Sequence, residues 1–292
     1  MGINRIKQWT MGWLAMGLFS SALAGELPAV KILTSFYPIY IATLNVAGDV
    51  PGVEVKNLTR PFTGCLHDYQ LTPNDLKTMA QAGILVVNGA GMESFLESAL
   101  QQAPQLKLVQ ASEGIELISG GAEGENPHVW VSISDYIRQV QNIAGGLAAA
   151  DPAHAGVYQQ NAGTYIEQLE LLKARMHESL QDISTRDIIT FHEAFPYFAR
   201  EFDLTVVAVI EREPGSEPSA RELAETVKTI RRKGIQVLFA EPQYSSRAAE
   251  TIARETGSTV FTLDPAVTGP LDKDAYLRIM EANLRELQKA LK

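Results

Sequence analysis

A single cysteine, Cys65, stands in a chain of 292 residues. One thiol cannot close an intramolecular disulfide, so stability must come from the core, and no cysteine-based zinc ribbon can form. Histidine is scarce as well, with five residues, and tryptophan occurs three times. Long apolar runs are missing: the most apolar early stretch, residues 11–19, is far short of the ~20 residues that a membrane-spanning helix requires. Positive charge is in deficit, 25 Lys and Arg against 34 Asp and Glu for a net charge of −9. That balance excludes a nucleic-acid surface and an anionic-membrane surface as partners. What is present is a globular composition, 46% hydrophobic and 20% charged, with enough length for two α/β lobes of ordinary domain size.

The first 24 residues read as an export signal. Arg5 and Lys7 form a basic start, the short apolar run follows, and Ala22-Leu23-Ala24 is a small-residue cleavage site. Cleavage after Ala24 is expected to leave a soluble periplasmic protein. No cysteine sits at the cleavage site, so no lipid anchor is indicated. The signal carries Trp9 and Trp13 away with it, so Trp130 remains as the only tryptophan.

Beyond residue 24 short apolar runs alternate with amphipathic stretches. Strands are expected near residues 30–36, 53–58, 84–88, 106–109, 187–191, 205–210, 235–240 and 259–263. Thr72 with Asp75, and Ser219 with Glu222, have the spacing of helix-capping pairs. Gly89-Ala90-Gly91 follows a strand, but Ser94 occupies the place of the third glycine of a dinucleotide fingerprint, so it reads as a plain turn. Asp151-Pro152 has the form of a helix start. From there Tyr158, Ala162, Tyr165, Leu169, Leu172, Met176 and Leu180 recur at spacings of three and four. A helix of about 30 residues would be ~45 Å long, enough to run along two lobes as a rigid connector. The fold class is therefore α/β: two (β/α) Rossmann-like lobes with parallel sheets, joined by one long helix. The expected division is a signal peptide over 1–24, an N-terminal lobe over 25–150, the connecting helix over 151–182 and a C-terminal lobe over 183–292.

Ligands of such folds bind at the carboxyl ends of strands, and three of the five histidines fall at or beyond such ends. His128 lies in Asn126-Pro127-His128-Val129-Trp130. His67 lies 61 residues before it and His192 lies 64 after. His154 and His177 fall on the connector and read as solvated. Three imidazoles in equivalent settings suit one divalent metal ion held between the lobes. Binding would release protons and weaken below pH ~6.5, where free histidine protonates.

These residues also carry a family resemblance. Thr63-Gly64-Cys65-Leu66-His67-Asp68-Tyr69-Gln70-Leu71-Thr72-Pro73-Asn74-Asp75-Leu76 resembles the first ligand loop of the zinc- and manganese-binding periplasmic proteins of ABC importers, the ZnuA/TroA type. Asn126-Pro127-His128-Val129-Trp130 resembles their second ligand motif. Phe191-His192-Glu193-Ala194-Phe195-Pro196-Tyr197-Phe198 is similar to their third. Glu217-Pro218-Ser219, Phe239-Ala240-Glu241-Pro242-Gln243 and Thr262-Leu263-Asp264-Pro265 match the later landmarks in order.

The resemblance covers essentially the whole chain after residue 24. It implies that His67, His128 and His192 are metal ligands and that Asp264 supplies a fourth. Glu241 is expected to make a hydrogen bond at its strand end instead. The cargo implied is Zn²⁺, with Mn²⁺ or Fe²⁺ as the alternative; manganese members carry Glu in place of the third histidine. The partner implied is an ABC permease in the inner membrane, met by a monomer with no enzymatic activity. A zinc hydrolase is the competing class, but Pro196 stands where an HExxH motif needs its second histidine. Residues 119–125 contain no histidine, a departure from the His-rich loop of many zinc members. Cys65 is a second departure. It reads as a small unpaired side chain; the alternative is a thiolate that reaches the metal and shifts selectivity towards Zn²⁺ or Cu⁺. Cys65→Ser is expected to leave zinc affinity within about threefold, under ~0.7 kcal/mol, and a larger loss would make Cys65 a ligand.

Overall fold

Two four-stranded sheets, every strand pair parallel, carry the fold. The computed structural model describes residues 29–120, 124–210 and 218–292. The expected signal peptide and the Glu217 landmark lie outside these residues, as does the middle of the 119–125 loop.

The first sheet contains β1 (Val30–Thr34), β2 (Val53–Asn57), β3 (Ile84–Val87) and β4 (Lys107–Gln110), in the order β2-β1-β3-β4. The second contains β5 (Asp187–Thr190), β6 (Thr205–Val209), β7 (Val237–Ala240) and β8 (Thr259–Thr262), in the order β6-β5-β7-β8. The two lobes therefore repeat one strand order. Each has a topological switch point, between β1 and β3 in one and β5 and β7 in the other, where a crevice opens at the carboxyl ends. β3 and β7 are buried at every residue, as strands covered on both faces must be.

Helices fill the connections: α1 (Tyr37–Ala47), α2 (Pro73–Met79), α3 (Glu97–Gln102), α4 (Ile133–Ala150), α5 (Ala155–Ser179), α6 (Pro196–Glu201), α7 (Ala220–Lys233), α8 (Arg247–Thr256) and α9 (Ala275–Leu291). Both expected capping boxes form, Thr72 with Asp75 and Ser219 with Glu222, each satisfying two otherwise orphaned donors. The Gly89-Ala90-Gly91 turn shows why no phosphate belongs there. Glu93 folds back so that Oε1 accepts from the Asn88 N–H and Oε2 from the Gly89 N–H, at 2.7 and 3.0 Å. Its own carboxylate fills the cradle.

The connector α5 is 25 residues long, shorter than expected. Residues 152–154 form a 3-10 turn instead of the first helical turn. Oδ2 of Asp151 accepts from Tyr158 Oη and faces His154 Nδ1, both at 2.7 Å, and the carboxylate also takes a backbone hydrogen bond from Ala153. His154 is thus paired, not simply solvated. Along α5 the buried stripe is Tyr158, Ala162, Tyr165, Leu169, Leu172 and Met176. It belongs to a hydrophobic cluster that also holds Ile32 and Val86 of the first lobe and Phe239, Leu263 and Met280 of the second. Among the described residues no helix is long and apolar enough to cross a membrane.

Polar ties cross between the lobes as well. Trp130 Nε1 donates to the Pro265 carbonyl at 2.8 Å, and Tyr276 Oη donates to the Trp130 carbonyl at 2.8 Å. Tyr276 also stacks on Tyr136 with ring centroids 3.7 Å apart. A shared apolar core locked by such bonds resists wide hinge opening.

Candidate metal centre

His192 is positioned by the switch point of the second lobe. β5 ends at Thr190, and two residues on the His192 ring meets Glu241, the first residue after β7. Nδ1–H donates to Glu241 Oε1 at 2.5 Å, and neither side chain is exposed. This bond leaves Nε2 pointing away from the carboxylate and orients it as a ligand atom, as a carboxylate behind a ligating histidine does. Glu241 therefore makes the strand-end hydrogen bond expected of it.

His128 precedes a short 3-10 turn at Val129–Val131 that leads into α4. Asn126 Oδ1 faces both the His128 backbone N–H, at 3.0 Å, and Nδ1, at 2.9 Å. An amide oxygen only accepts, so Nδ1 carries the proton and Nε2 presents a lone pair. The amide orientation is set from the other side, where Asn126 Nδ2 donates to the Glu193 carbonyl at 2.8 Å. Asn126 thus reaches from one lobe to the other, and Tyr197 Oη donates to its carbonyl at 2.6 Å. Behind it, Asn88 Nδ2 donates to the Pro127 carbonyl at 3.0 Å, with Gln139 Nε2 on Asn88 Oδ1 at 2.8 Å. The rigidity of this loop comes from that chain of amides at least as much as from Pro127.

His67 and Cys65 share the loop between β2 and α2. Gly64 turns it with φ +82°, and a Cβ there would lie 2.8 Å from Tyr244 Oη. Only glycine allows the approach. It lets the Cys65 backbone N–H donate to the Tyr244 hydroxyl and brings the loop over the second lobe. His67 is exposed, whereas His128 and His192 are buried.

The three histidines converge. His128 Nε2 lies 3.2 Å from His67 Nε2 and 3.3 Å from His192 Nε2. Cys65 Sγ joins them, 3.7 Å from His192 Nε2, and the four ligand atoms all lie within 4.8 Å of one another. Asp264, expected as the fourth ligand, is not in this group. Its Oδ1 accepts from Gln243 Nε2 and from the Ala266 N–H, both at 2.8 Å. The carboxylate is thereby engaged in the turn around Pro265.

The charges follow from burial and from these partners. Burial, reinforced by the charges of His192 and His67, holds His128 well below the ordinary imidazole value. His192 goes the other way. Burial alone would lower it, but the Glu241 carboxylate and Cys65 outweigh that and push it up to about 10. Burial raises the Cys65 thiol, with His192 pulling against it. Three Nε2 atoms, each within hydrogen-bonding distance of the next, with His128's lone pair fixed by Asn126, form a site for a divalent cation that accepts nitrogen ligands.

Cys65 is open as a donor from the sequence, two residues from His67, but its contact with His192 and the double role of Asn126 are not legible there. Asn126 carried a local signal, since an amide two residues before a histidine can hold its ring. Cys65 and His192 are 127 residues apart, and no local signal joins them.

Known proteins share this chain's sequence and architecture. It is 31% identical over 282 residues to the high-affinity zinc uptake system protein ZnuA of Bacillus subtilis (strain 168), a match covering 90% of this chain and 88% of that protein. It is 29% identical over 282 residues to the zinc-binding lipoprotein AdcA of Streptococcus pneumoniae serotype 4, covering 89% of this chain and 55% of AdcA. The chain therefore spans about half the length of AdcA. The solute-binding protein FpvC of Pseudomonas aeruginosa, solved in complex with Mn²⁺, superposes with a TM-score of 0.82 at 30% identity, over 90% of this chain and 98% of that one. A model of the family described as zinc-uptake complex component A, periplasmic (ZnuA), matches residues 32–290, and the chain belongs to that family.

Proposed function

We propose that this protein captures Zn²⁺ in the periplasm and hands it to an ABC-type import permease in the inner membrane. The observation that carries the reading is the convergence of three Nε2 atoms at 3.2 and 3.3 Å, two of them fixed from behind by Asn126 and Glu241. His67, His128 and His192 hold the ion. Mn²⁺ is the second reading, because FpvC was solved with it. Three imidazoles suit zinc better, since manganese prefers more oxygen ligands. The protein acts on its cargo by binding and release alone, and a zinc hydrolase would need a general base beside an open metal position. Hydrolysis of generic esters or peptides by the zinc-loaded protein, lost in Glu193→Gln, would establish the enzyme instead.

The lobes share one core, so loading and release work through small loop movements, not domain closure. The exposed His67 side is where the ion comes and goes, and the permease acts on the loop that carries it. The chain works as a monomer after removal of residues 1–24.

Competitive titration with Zn²⁺ and Mn²⁺ tests the cargo, with Trp130 as a built-in reporter. Its ring is buried, with its centroid 5.2 Å from that of His128. In protein beginning at Gly25, zinc should change Trp130 emission saturably, and His128→Ala should abolish the change. Unaltered emission together with unaltered affinity in that variant would refute the site.

A further inference from the structure

We infer that Cys65 is the fourth ligand, so that the ion is held by one thiolate and three imidazoles. The inference rests on the reading of the site as a metal-capture centre and adds to it the residue that decides which metal is preferred.

The spacing carries it. With Zn–N near 2.0–2.1 Å and Zn–S near 2.3 Å, a tetrahedron places its nitrogens about 3.3–3.4 Å apart and sulfur about 3.6 Å from nitrogen. Two of the three nitrogen pairs here, His67–His128 and His128–His192, are separated by 3.2 and 3.3 Å, and Cys65 Sγ lies 3.7 Å from His192 Nε2. All four donor atoms fall within a 4.8 Å cluster. Three of the six donor separations thus match four-coordinate zinc with sulfur at one vertex, and the others lie within 4.8 Å, close enough for small side-chain shifts to complete the tetrahedron.

The loop is built to keep the sulfur there. Gly64 takes a backbone conformation open to glycine, at φ +82°, and passes close to Tyr244 Oη. The Tyr244 hydroxyl takes the Cys65 N–H, and the Tyr244 ring stands edge-on to His192 with centroids 6.2 Å apart. Tyr244 therefore holds Cys65 against the same histidine whose far side Glu241 fixes. The rival donor, Asp264, has Oδ1 occupied by Gln243 and Ala266 and is absent from the cluster.

On loading, the S–H bond breaks, the proton leaves to solvent, and the sulfur lone pair forms the metal bond; no electrons are transferred. A thiolate is a soft ligand that favours Zn²⁺ over Mn²⁺, so Cys65 should set the preference for zinc. This reverses the near-neutral effect that the sequence alone suggested for Cys65→Ser.

The test uses reduced protein beginning at Gly25, loaded with Co²⁺ as a spectroscopic substitute and with Zn²⁺. Wild type should show a sulfur-to-cobalt charge-transfer band in the near ultraviolet, and zinc-edge X-ray absorption should require one sulfur at about 2.3 Å. Cys65→Ser should lose the band and bind zinc more than about tenfold more weakly, with a smaller change for Mn²⁺. Asp264→Ala should keep the band. Absence of both sulfur signatures from zinc-binding wild type would overturn the thiolate and leave zinc capture standing. A band that survives in Cys65→Ser would overturn it as well. Wild type that fails to bind zinc would instead refute the capture reading beneath it.

Discussion

Replacing Asn126 with alanine removes no metal ligand, yet it should weaken zinc binding substantially. Its amide oxygen is the only partner found for His128 Nδ1 among the described residues and also takes the His128 backbone N–H. Its Nδ2 ties the loop to the Glu193 carbonyl. Without Oδ1 the ring can rotate, or carry its proton on Nε2, where the metal should sit. Loss of a partner behind a ligating histidine typically costs 10- to 100-fold in affinity, about 1.4–2.8 kcal/mol. Three hydrogen bonds at about 0.5–1.5 kcal/mol each set the cost to the metal-free fold at a few kcal/mol at most. Asn126→Asp separates the two roles, because it keeps an acceptor for His128 and loses only the donor to Glu193. The assay is competitive titration against a chromophoric zinc chelator, paired with thermal unfolding of the metal-free protein. Alanine should lower both affinity and stability, while aspartate should lower stability and keep affinity within about fivefold of wild type. An alanine variant that binds zinc within threefold of wild type would refute the assignment of Asn126 as the residue that orients His128.

Two further outcomes follow from other parts of the structure. Burial pushes Glu93 up to about 7, against hydrogen bonds from Ser35 and the Asn88 and Gly89 N–H groups that pull it down. A carboxyl raised above its unfolded value of 4.5 binds more protons folded than unfolded, so stability falls as pH rises from about 4.5 to 7. The fall should amount to about 3 kcal/mol in metal-free protein and be missing from Glu93→Gln; parallel urea-denaturation curves for the two across this range would refute it. Gly64→Ala places a methyl 2.8 Å from Tyr244 Oη at φ +82°. It should cost about 1–2 kcal/mol of stability and, by lifting the loop that carries Cys65 and His67, weaken zinc more than tenfold; unchanged affinity would show that the close approach to Tyr244 does not position that loop.

Much of the fold was legible because its causes are local. Thr72 with Asp75 and Ser219 with Glu222 cap their helices through contacts within three residues. The all-apolar runs at Ile84–Val87 and Val237–Ala240 announced strands buried on both faces. Gly89-Ala90-Gly91 is legible as a turn because Ser94 replaces the third glycine, whereas Glu93 filling its N–H cradle depends on a side chain folding back. Asp151-Pro152 does open the connector, but through a 3-10 turn at Pro152–His154 before α5 begins at Ala155, with Tyr158 and His154 also engaging the Asp151 carboxylate.

By itself the sequence determined the α/β alternation, the long connector and the three histidines worth watching, because periodicity, capping and strand-end position are written within a few residues of one another. Which donors share one point was decided only by tertiary structure. His192 meets Glu241 across the ends of neighbouring strands, and Cys65 meets His192 because Gly64 lets its loop close onto Tyr244 in the other lobe. Asp264 stays apart because its nearest donors, Ala266 and Gln243, hold it. Ligand geometry at the scale of a metal ion depends on side chains converging from loops more than 60 residues apart in the chain, and only the packed lobes set those distances.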